Sequence, residues 1–305
     1  MTLTPSTRRD ARAVQTRWRM PWTSALLGLV AFAGVLVMLY PTTAAWVSQY
    51  YQSQLIREVE SEIQSAPSTE LQQALADARS YNDALVSGAL VGANTRVPTS
   101  SGASSSGLDY QNLLRADAAG TMGRLRIPAI GVDLPIYHGT TDDILAKGVG
   151  HLEGTSLPVG GTSQHSVLTA HRGLASATLF DNLDQLTQGD TFTIEIFGEV
   201  LTYRVRDTQT VEPDQTQSLY PAYGEDLVTL ITCTPLGINT HRILVTGERV
   251  TPTPPEDIAN AGRTPDIPGF PWWIVADGAA LAGLIVLIWI AGRPPRRPAL
   301  PGSPT

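Results

Sequence analysis

Two apolar stretches lie near the ends of the chain. Residues 22–40 contain no charge, and residues 272–290 contain Asp277 as their only charged side chain. At about 1.5 Å per helical residue, each stretch can cross the roughly 30 Å hydrocarbon core of a bilayer. The pattern therefore predicts a transmembrane helix for each. The alternatives are a cleaved signal peptide for the first stretch and a buried helix for the second.

Positive charge flanks both stretches on their outer sides. By the positive-inside rule, residues 1–21 and 291–305 are predicted to be cytoplasmic and residues 41–271 to lie outside the cell membrane. The protein is thus predicted to be a multi-pass protein of the cell membrane, with the lipid bilayer as a partner. The arginines that support this topology are Arg8, Arg9, Arg12, Arg17, Arg19, Arg293, Arg296 and Arg297.

Residues 41–110 follow the first stretch and predict helices and then a loop. Apolar positions recur at three- and four-residue intervals over residues 44–64, and again, after Pro67, from about residue 68 to residue 86. Residues 92–107 are rich in Ser, Gly and Thr, which predicts a flexible segment.

Residues 111–250 show short apolar or alternating segments separated by Gly, Pro and Asp, a pattern typical of strands. So many short strands favour a mainly β domain, either a barrel or a sandwich. Prolines over residues 251–271 predict an extended, stiff linker. The predicted strands are residues 125–127, 134–137, 165–170, 191–196, 201–205, 227–232 and 243–250.

Composition excludes some classes of function. The formal net charge is −7 and no basic stripe runs through the chain, so nucleic acid is not predicted as a partner. The chain has one cysteine, which excludes an intrachain disulfide and a multi-thiolate metal site. No His-Glu-x-x-His or other metal-ligand spacing is present, so no metal and no cofactor are predicted.

The single cysteine, Cys233, comes at the end of an apolar strand over residues 228–232. Pro235 and Gly237 follow at once, so the strand must stop there. A lone thiol is either a small buried side chain or a reactive group, and the position at a strand end favours a nucleophile. A strand resumes at Arg242, so Cys233 and Arg242 are predicted to face each other across one hairpin.

A cysteine nucleophile needs a base or an imidazolium partner and donors for the oxyanion. Among the five histidines, His171 is favoured because it ends an apolar strand, and His151, in a Gly-rich turn, is second. The alternative for either is a structural hydrogen-bonding role. Arg242 fits an oxyanion donor or a substrate-orienting residue, and its alternative is a surface salt bridge.

Several segments resemble the sortase family. Residues 229–235 (TLITCTP) and 237–242 (GINTHR) resemble the sortase active-site hairpin. Residues 168–173 (LTAHRG) resemble the segment that carries the catalytic histidine. Residues 148–158 (GVGHLEGTSLP) resemble a stretch typical of class C, pilin-polymerising sortases, and the two apolar stretches are similar to the class C arrangement.

The resemblance implies an eight-stranded sortase-type β-barrel with N-terminal helices and two transmembrane helices. It implies that Cys233 is the nucleophile, that His171 is the catalytic histidine and that Arg242 serves the oxyanion. It also implies LPxTG-like sorting signals on pilin or surface proteins as substrates. Thr232 precedes the nucleophile as in the family and lines the substrate groove on this reading, while simple strand pairing is its equal alternative.

One family feature is missing. Class C sortases usually carry an Asp-Pro-aromatic lid motif between the N-terminal helices and the barrel. Here residues 94–107 form a Ser/Gly-rich stretch, and the dipeptide Asp109-Tyr110 lacks the proline. We therefore expect that no Asp-aromatic pair from residues 94–110 is held against Cys233.

Three functions follow from these observations. The first is a class C transpeptidase that joins a sorting signal to a pilin lysine. The second uses the same chemistry to anchor surface proteins to a peptidoglycan amine. The third is a non-catalytic membrane scaffold, against which the Cys233, His171 and Arg242 set argues.

Overall fold

The computed structural model describes residues 18–85, 107–265 and 268–293, and its chain divides into two compact units. One unit holds the residues up to Tyr40 and those from Pro271 onward, and the other runs from Pro41 to Phe270. The helices and strands are α1 Trp22–Ser65, α2 Ser68–Asp83, β1 Thr121–Ile127, β2 Val132–His138, α3 Asp142–Leu145, β3 Val149–His151, β4 Gln164–Thr169, β5 Thr191–Ile196, β6 Glu199–Val211, β7 Asp226–Thr234, β8 His241–Arg249, α4 Pro255–Ala259 and α5 Trp272–Ala291.

The first unit is a pair of apolar helical segments. Helices α1 and α5 are long and apolar enough to cross a membrane, which makes them candidate membrane spans. Gly28 contacts Leu284, so the two segments pack closely where α1 has no side chain. The indole N–H of Trp18 donates to the carbonyl of Trp289 at 3.2 Å, and the backbone N–H of Arg19 donates to Gly292 at 3.2 Å. The start of α1 and the end of α5 therefore lie together, and the segments are antiparallel.

The second unit is built around a closed barrel with the strand order β1-β2-β3-β4-β7-β8-β6-β5. The pairs β2–β3 and β4–β7 are parallel and the other neighbours are antiparallel. Closure leaves no unpaired sheet edge. The interior is filled by side chains from alternate strand positions, and the eight-stranded barrel is confirmed. Interior residues include Leu125, Ile136, Leu168, Leu230 and Val245.

Strand β3 differs from the sequence prediction, which treated the residues around His151 as a Gly-rich turn. Its three residues pair with β2 on one side and with β4 on the other. A Cβ on Gly150 would collide with the carbonyl oxygen of Gly139 and would lie 2.8 Å from Leu145. Glycine here lets the connection between β2 and β3 pack directly on the strand.

The N-terminal helices are confirmed, with one change. The predicted transmembrane and extracytoplasmic helices form a single helix, α1, which runs through Pro41. Helix α2 buries Leu75 and Tyr81 in the barrel core. The Asn82 side chain also pairs with the backbone of Leu157, donating to its carbonyl at 3.0 Å and accepting from its N–H at 2.7 Å. The predicted end of this helix at residue 86 and most of the predicted loop lie outside the described residues.

The sequence predicted an extended linker for the proline-rich segment after β8. In the structure this segment is not uniformly extended. It contains α4, and the Thr202 hydroxyl donates to Asp257 at 2.6 Å. The guanidinium of Arg124 donates to the carbonyl of Arg263 at 2.7 Å, and Gly262 N–H donates to the carboxylate of Glu195 at 3.1 Å. Buried charged side chains of the barrel therefore hold this segment, which its composition alone did not reveal.

Candidate active site

Cys233 and Arg242 are paired directly across the β7–β8 ladder. Side chains alternate between the two faces of a strand, so the faces of these residues follow from their neighbours. Leu230 and Val245 point into the barrel core, whereas Ile231 and Leu244 belong to a separate apolar cluster on the outer face. Cys233 and Arg242 share the outer face with that second pair.

His171 reaches the same end of the barrel through β4. This strand is parallel to β7, with Thr169 opposite Ile231, and the N–H of Ala170 donates to the carbonyl of Ile231 at 3.2 Å. Beyond the end of β4, the guanidinium of Arg172 donates to the hydroxyl of Thr234 at 3.3 Å, so the segments that carry His171 and Cys233 remain neighbours. The three residues singled out in the sequence are thus collected at adjacent strand ends.

Threonine hydroxyls tie β4 and β7 together just before the site. Thr169 donates to the carbonyl of Ile231 at 3.1 Å, and Thr232 donates to the carbonyl of Ala170 at 2.9 Å. Thr232 is 1% exposed. These contacts are those expected from strand pairing, which was the alternative for Thr232. They do not support its predicted place in a substrate groove.

The guanidinium of Arg242 is buried rather than at the surface, which disagrees with the salt-bridge alternative. Its Nη1 donates to the carbonyls of Asn239 and His241, both at 3.0 Å. The β7–β8 loop and the first residue of β8 therefore orient the side chain.

Asp142 is a carboxylate beside the site that the sequence did not single out. Its Oδ1 lies 3.8 Å from Nε2 of His171, and its side chain is 79% exposed. It begins α3, in the crossover between the parallel strands β2 and β3. No local pattern marks it, because its proximity to His171 depends on the barrel topology.

His151 and His165 are buried and have structural contacts. His151 Nε2 lies 2.9 Å from the carbonyl of Ser156, to which it donates, and the hydroxyl of Tyr110 is 2.9 Å from Nδ1. Burial lowers the pKa of His151 to about 4, which keeps the ring neutral. Burial likewise lowers the pKa of His165, whose Nε2 is 2.7 Å from the hydroxyl of Thr229. Neither ring has the exposure that a proton-transfer role requires.

The Asp109-Tyr110 pair is engaged elsewhere. The carboxylate of Asp109 accepts hydrogen bonds from Gln111 N–H and Asn112 Nδ2, at 3.1 and 2.8 Å. The hydroxyl of Tyr110 accepts from Gly139 N–H at 3.0 Å and packs beside His151. Residues 94–106 of the predicted lid region lie outside the described part of the chain, so for them the expectation of an open site stays a prediction.

A thiol, an imidazole and a guanidinium at one end of a closed barrel are the groups that a cysteine acyltransferase uses. The thiol can form a covalent acyl intermediate, the imidazole can transfer protons, and the guanidinium can bind a developing oxyanion. Among the described residues, no group of three or more His, Cys, Asp or Glu is arranged to hold a metal ion.

Comparisons with known proteins agree with this class. The sortase domain family matches residues 125–250. Sortase D of Bacillus subtilis (strain 168) is 33% identical over 132 residues, which cover 42% of this chain and 64% of that protein. The chain thus spans less than two thirds of the length of this curated relative.

Solved structures extend the likeness. Sortase C-1 from Actinomyces oris is 48% identical, with a TM-score of 0.53 over 59% of this chain and 98% of that chain. Streptococcus pneumoniae sortase C is 39% identical, with a TM-score of 0.59 over 66% of this chain and 99% of that chain. Its structure is described as giving insights into catalysis and pilin substrate specificity. The chain belongs to the sortase family, whose members are cysteine transpeptidases, and these structural neighbours are class C sortases.

Proposed function

We propose that this chain is a membrane-anchored transpeptidase that cleaves an LPxTG-like sorting signal and joins it to a lysine amine of a pilin subunit. The observation that supports this most strongly is the pairing of Cys233 with Arg242 beside the end of β4, two residues before His171. This arrangement supplies the nucleophile, the oxyanion donor and the proton carrier that two successive acyl transfers need.

In the first transfer, the Cys233 thiolate attacks the carbonyl carbon of the signal threonine. Negative charge develops on the carbonyl oxygen, and the guanidinium of Arg242 stabilises it. The bond between threonine and glycine then breaks. The His171 imidazolium gives its proton to the departing amine, so the products are a thioester on Cys233, a neutral imidazole and a free amino-terminal tail.

In the second transfer, a neutral lysine amine attacks the thioester carbonyl, and Arg242 again stabilises the oxyanion. The carbon–sulfur bond breaks, an isopeptide bond forms, and His171 takes the proton lost by the amine. Thiolate and imidazolium are both restored. The same residues therefore act in both halves of the reaction, with His171 as acid first and base second.

The acceptor in the second transfer is a lysine amine of a pilin subunit. The chain is similar to pneumococcal sortase C, whose structure is described as informative about pilin substrate specificity. This similarity favours a pilin lysine. A peptidoglycan amine is the second candidate acceptor. Cells that express the chain with an LPxTG-bearing pilin should form covalent ladders on denaturing gels, and Cys233→Ala should abolish them. Single wall-linked products without ladders would favour the peptidoglycan acceptor, and unchanged ladders in the variant would support a scaffold.

The membrane arrangement follows from the two candidate spans. Both termini are proposed to be cytoplasmic and residues 41–271 extracytoplasmic, because arginines flank the spans on their outer sides. The bonds of Trp18 and Arg19 to the end of α5 support termini on one side. In a Cys233→Ala background, Tyr223→Cys, at a 99% exposed position, should react with an impermeant maleimide in intact cells, whereas Ser303→Cys should react only after lysis. The reverse pattern would overturn the topology.

A further inference from the structure

The side chain of Arg172, which follows His171, joins three separate segments around the site. Its Nε donates to the carbonyl of Asp181 at 2.9 Å, and its Nη2 forms an ion pair with Asp184 at 2.6 Å. Its Nη1 donates to the hydroxyl of Thr234 at 3.3 Å. Thr234 is the residue after Cys233. Arg172, which follows His171, is therefore bonded directly to Thr234, which follows Cys233.

A second contact supports the same junction. Gly173 has a φ of 76°, a conformation that L side chains rarely adopt, and a Cβ there would collide with Leu236 in the β7–β8 loop. The N–H of Gly173 also donates to the carboxylate of Asp181 at 2.6 Å. The carbonyl of His171 itself accepts a hydrogen bond from Phe180 N–H at 3.2 Å. The segment after His171 is thus folded back on itself and packed against the segment after Cys233.

We propose that Arg172 is a positioning residue that holds the His171 segment in register with the Cys233 strand. The inference rests on the proposed function, since it concerns how the imidazole and the thiol of that reaction are kept within proton-transfer reach. Arg172 acts through protein groups, unlike Arg242, whose proposed role is direct contact with the substrate oxygen. Beyond Ala170 the strand pairing of β4 ends. The bonds of Arg172 to Asp181, Asp184 and Thr234, here called the Arg172 clamp, replace that pairing.

The chemistry of the clamp requires arginine. Its three acceptors are a carboxylate, a backbone carbonyl and a hydroxyl, each met by a different nitrogen of one planar group. A lysine ammonium is a compact charge and can keep the ion pair with Asp184. It cannot present separate N–H donors to all three acceptors as the planar guanidinium does. Since a misplacement of about 1 Å can reduce a rate about 100-fold, loss of the clamp should act on kcat.

The test compares Arg172→Met, Arg172→Lys and Thr234→Val in the full-length chain purified in detergent, with an LPxTG-type peptide as substrate. Arg172→Met should lower kcat for thioester formation about 10- to 100-fold, with KM within about twofold of wild type. Arg172→Lys should recover only part of that loss. Thr234→Val removes only the link to the cysteine strand, and the double variant Arg172→Met/Thr234→Val should be no slower than Arg172→Met alone. Additive losses, or an unchanged kcat in Thr234→Val, would overturn the proposal.

Arg206→Met provides the matched control. Arg206 forms a similar ion pair with Glu225, at 2.8 Å, next to the opposite end of β7. This variant should keep wild-type kcat and resistance to pulse proteolysis. If Arg172→Met proves unstable in the same proteolysis assay, Thr234→Val decides the outcome by its kcat.

A second readout does not depend on the peptide. The rate of Cys233 alkylation by iodoacetamide at pH 7 reports the thiolate that a correctly placed imidazole favours. It should fall in Arg172→Met and Thr234→Val but not in Arg206→Met. If wild type forms no thioester with the peptide yet shows these alkylation differences, the proposed function fails while the positioning role stands. Equal alkylation rates in all variants would overturn the positioning role.

Discussion

Cys233 and Arg242 are cross-strand neighbours in the β7–β8 ladder, and both lie on the outer face of the barrel. Their separation is therefore set by backbone pairing that continues along both strands. The carbonyls of Asn239 in the β7–β8 loop and of His241 at the start of β8 then fix the direction of the guanidinium. The proposed nucleophile and the proposed oxyanion donor therefore need no rearrangement of the strands before the reaction.

The first prediction concerns Arg242. Removal of one oxyanion donor typically lowers kcat by about 10²- to 10³-fold, so Arg242→Ala should slow thioester formation by that amount with little change in KM. Arg242→Lys should recover part of the loss, because it restores a positive donor without the planar fork. Stopped-flow or quenched-flow acylation measures both. An Arg242→Ala variant that is stable to proteolysis and acylates at the wild-type rate would exclude the oxyanion role.

The second prediction concerns pH. Acylation needs a thiolate on Cys233 and a proton on His171, so the rate should follow a bell-shaped curve. The two side chains should titrate as a coupled pair, so both limbs of the curve belong to the pair rather than to either residue alone. His171→Gln should lower the rate throughout and remove the part of the curve due to the imidazole. A flat profile across the neutral range in wild type would count against the pair.

The third prediction concerns Asp142. Its carboxylate is 3.8 Å from His171 but is 79% exposed, and exposed ion pairs contribute about 0–1 kcal/mol. Asp142→Asn should therefore change the acylation rate by no more than about fivefold, and the difference should shrink at high salt. Asp143→Asn, at the adjacent position of α3, is the matched control. A loss of more than about tenfold that persists in high salt would show that Asp142 has a larger role.

The fourth prediction concerns acid stability. Burial lowers the pKa of His151 to about 4, against about 6.5 in an unfolded chain. The unfolded state then binds the proton more readily, so the stability contributed by neutral His151 is fully present above about pH 6.5 and is lost as the pH falls toward 4. The corresponding difference in the free energy of unfolding is roughly 3 kcal/mol.

Pulse proteolysis of the full-length chain in urea at several pH values measures this loss. His151→Gln keeps a donor toward the carbonyl of Ser156 but does not titrate, so its stability should fall less between pH 7 and pH 4. His165→Gln is a useful comparison, because burial also lowers the pKa of His165. Equal pH dependence in wild type and His151→Gln would contradict the linkage.

Much of this site could be predicted from the sequence because its determinants are local. The sequence predicted a hairpin that pairs Cys233 with Arg242, because an apolar run precedes Cys233 and Pro235 and Gly237 break the strand after it. The structure contains this pairing. His171 was favoured for the same reason, since it directly follows an apolar strand. Strand periodicity and strand ends are visible in a single sequence.

Other features depend on contacts between distant segments. The three residues of β3 are too few for a periodic pattern, and the strand exists because β2 and β4 flank it. The contact of α4 with the barrel depends on the bond between Thr202 and Asp257, and the proximity of Asp142 to His171 requires the crossover between β2 and β3. The contact of Arg172 with Thr234 likewise appears only once β4 and β7 are neighbours. Such relationships carry no signal in residue spacing.

The most direct measurement of the central claim is the mass of the acyl-enzyme. The full-length chain in detergent is mixed with an LPxTG-type peptide, quenched in acid and analysed by intact-mass and peptide-level mass spectrometry. We predict an adduct equal to the peptide through its threonine, located on Cys233, removed by hydroxylamine and absent in Cys233→Ala. An unmodified Cys233 in chain whose thiol still reacts with iodoacetamide, or an equal adduct in Cys233→Ala, would contradict the account.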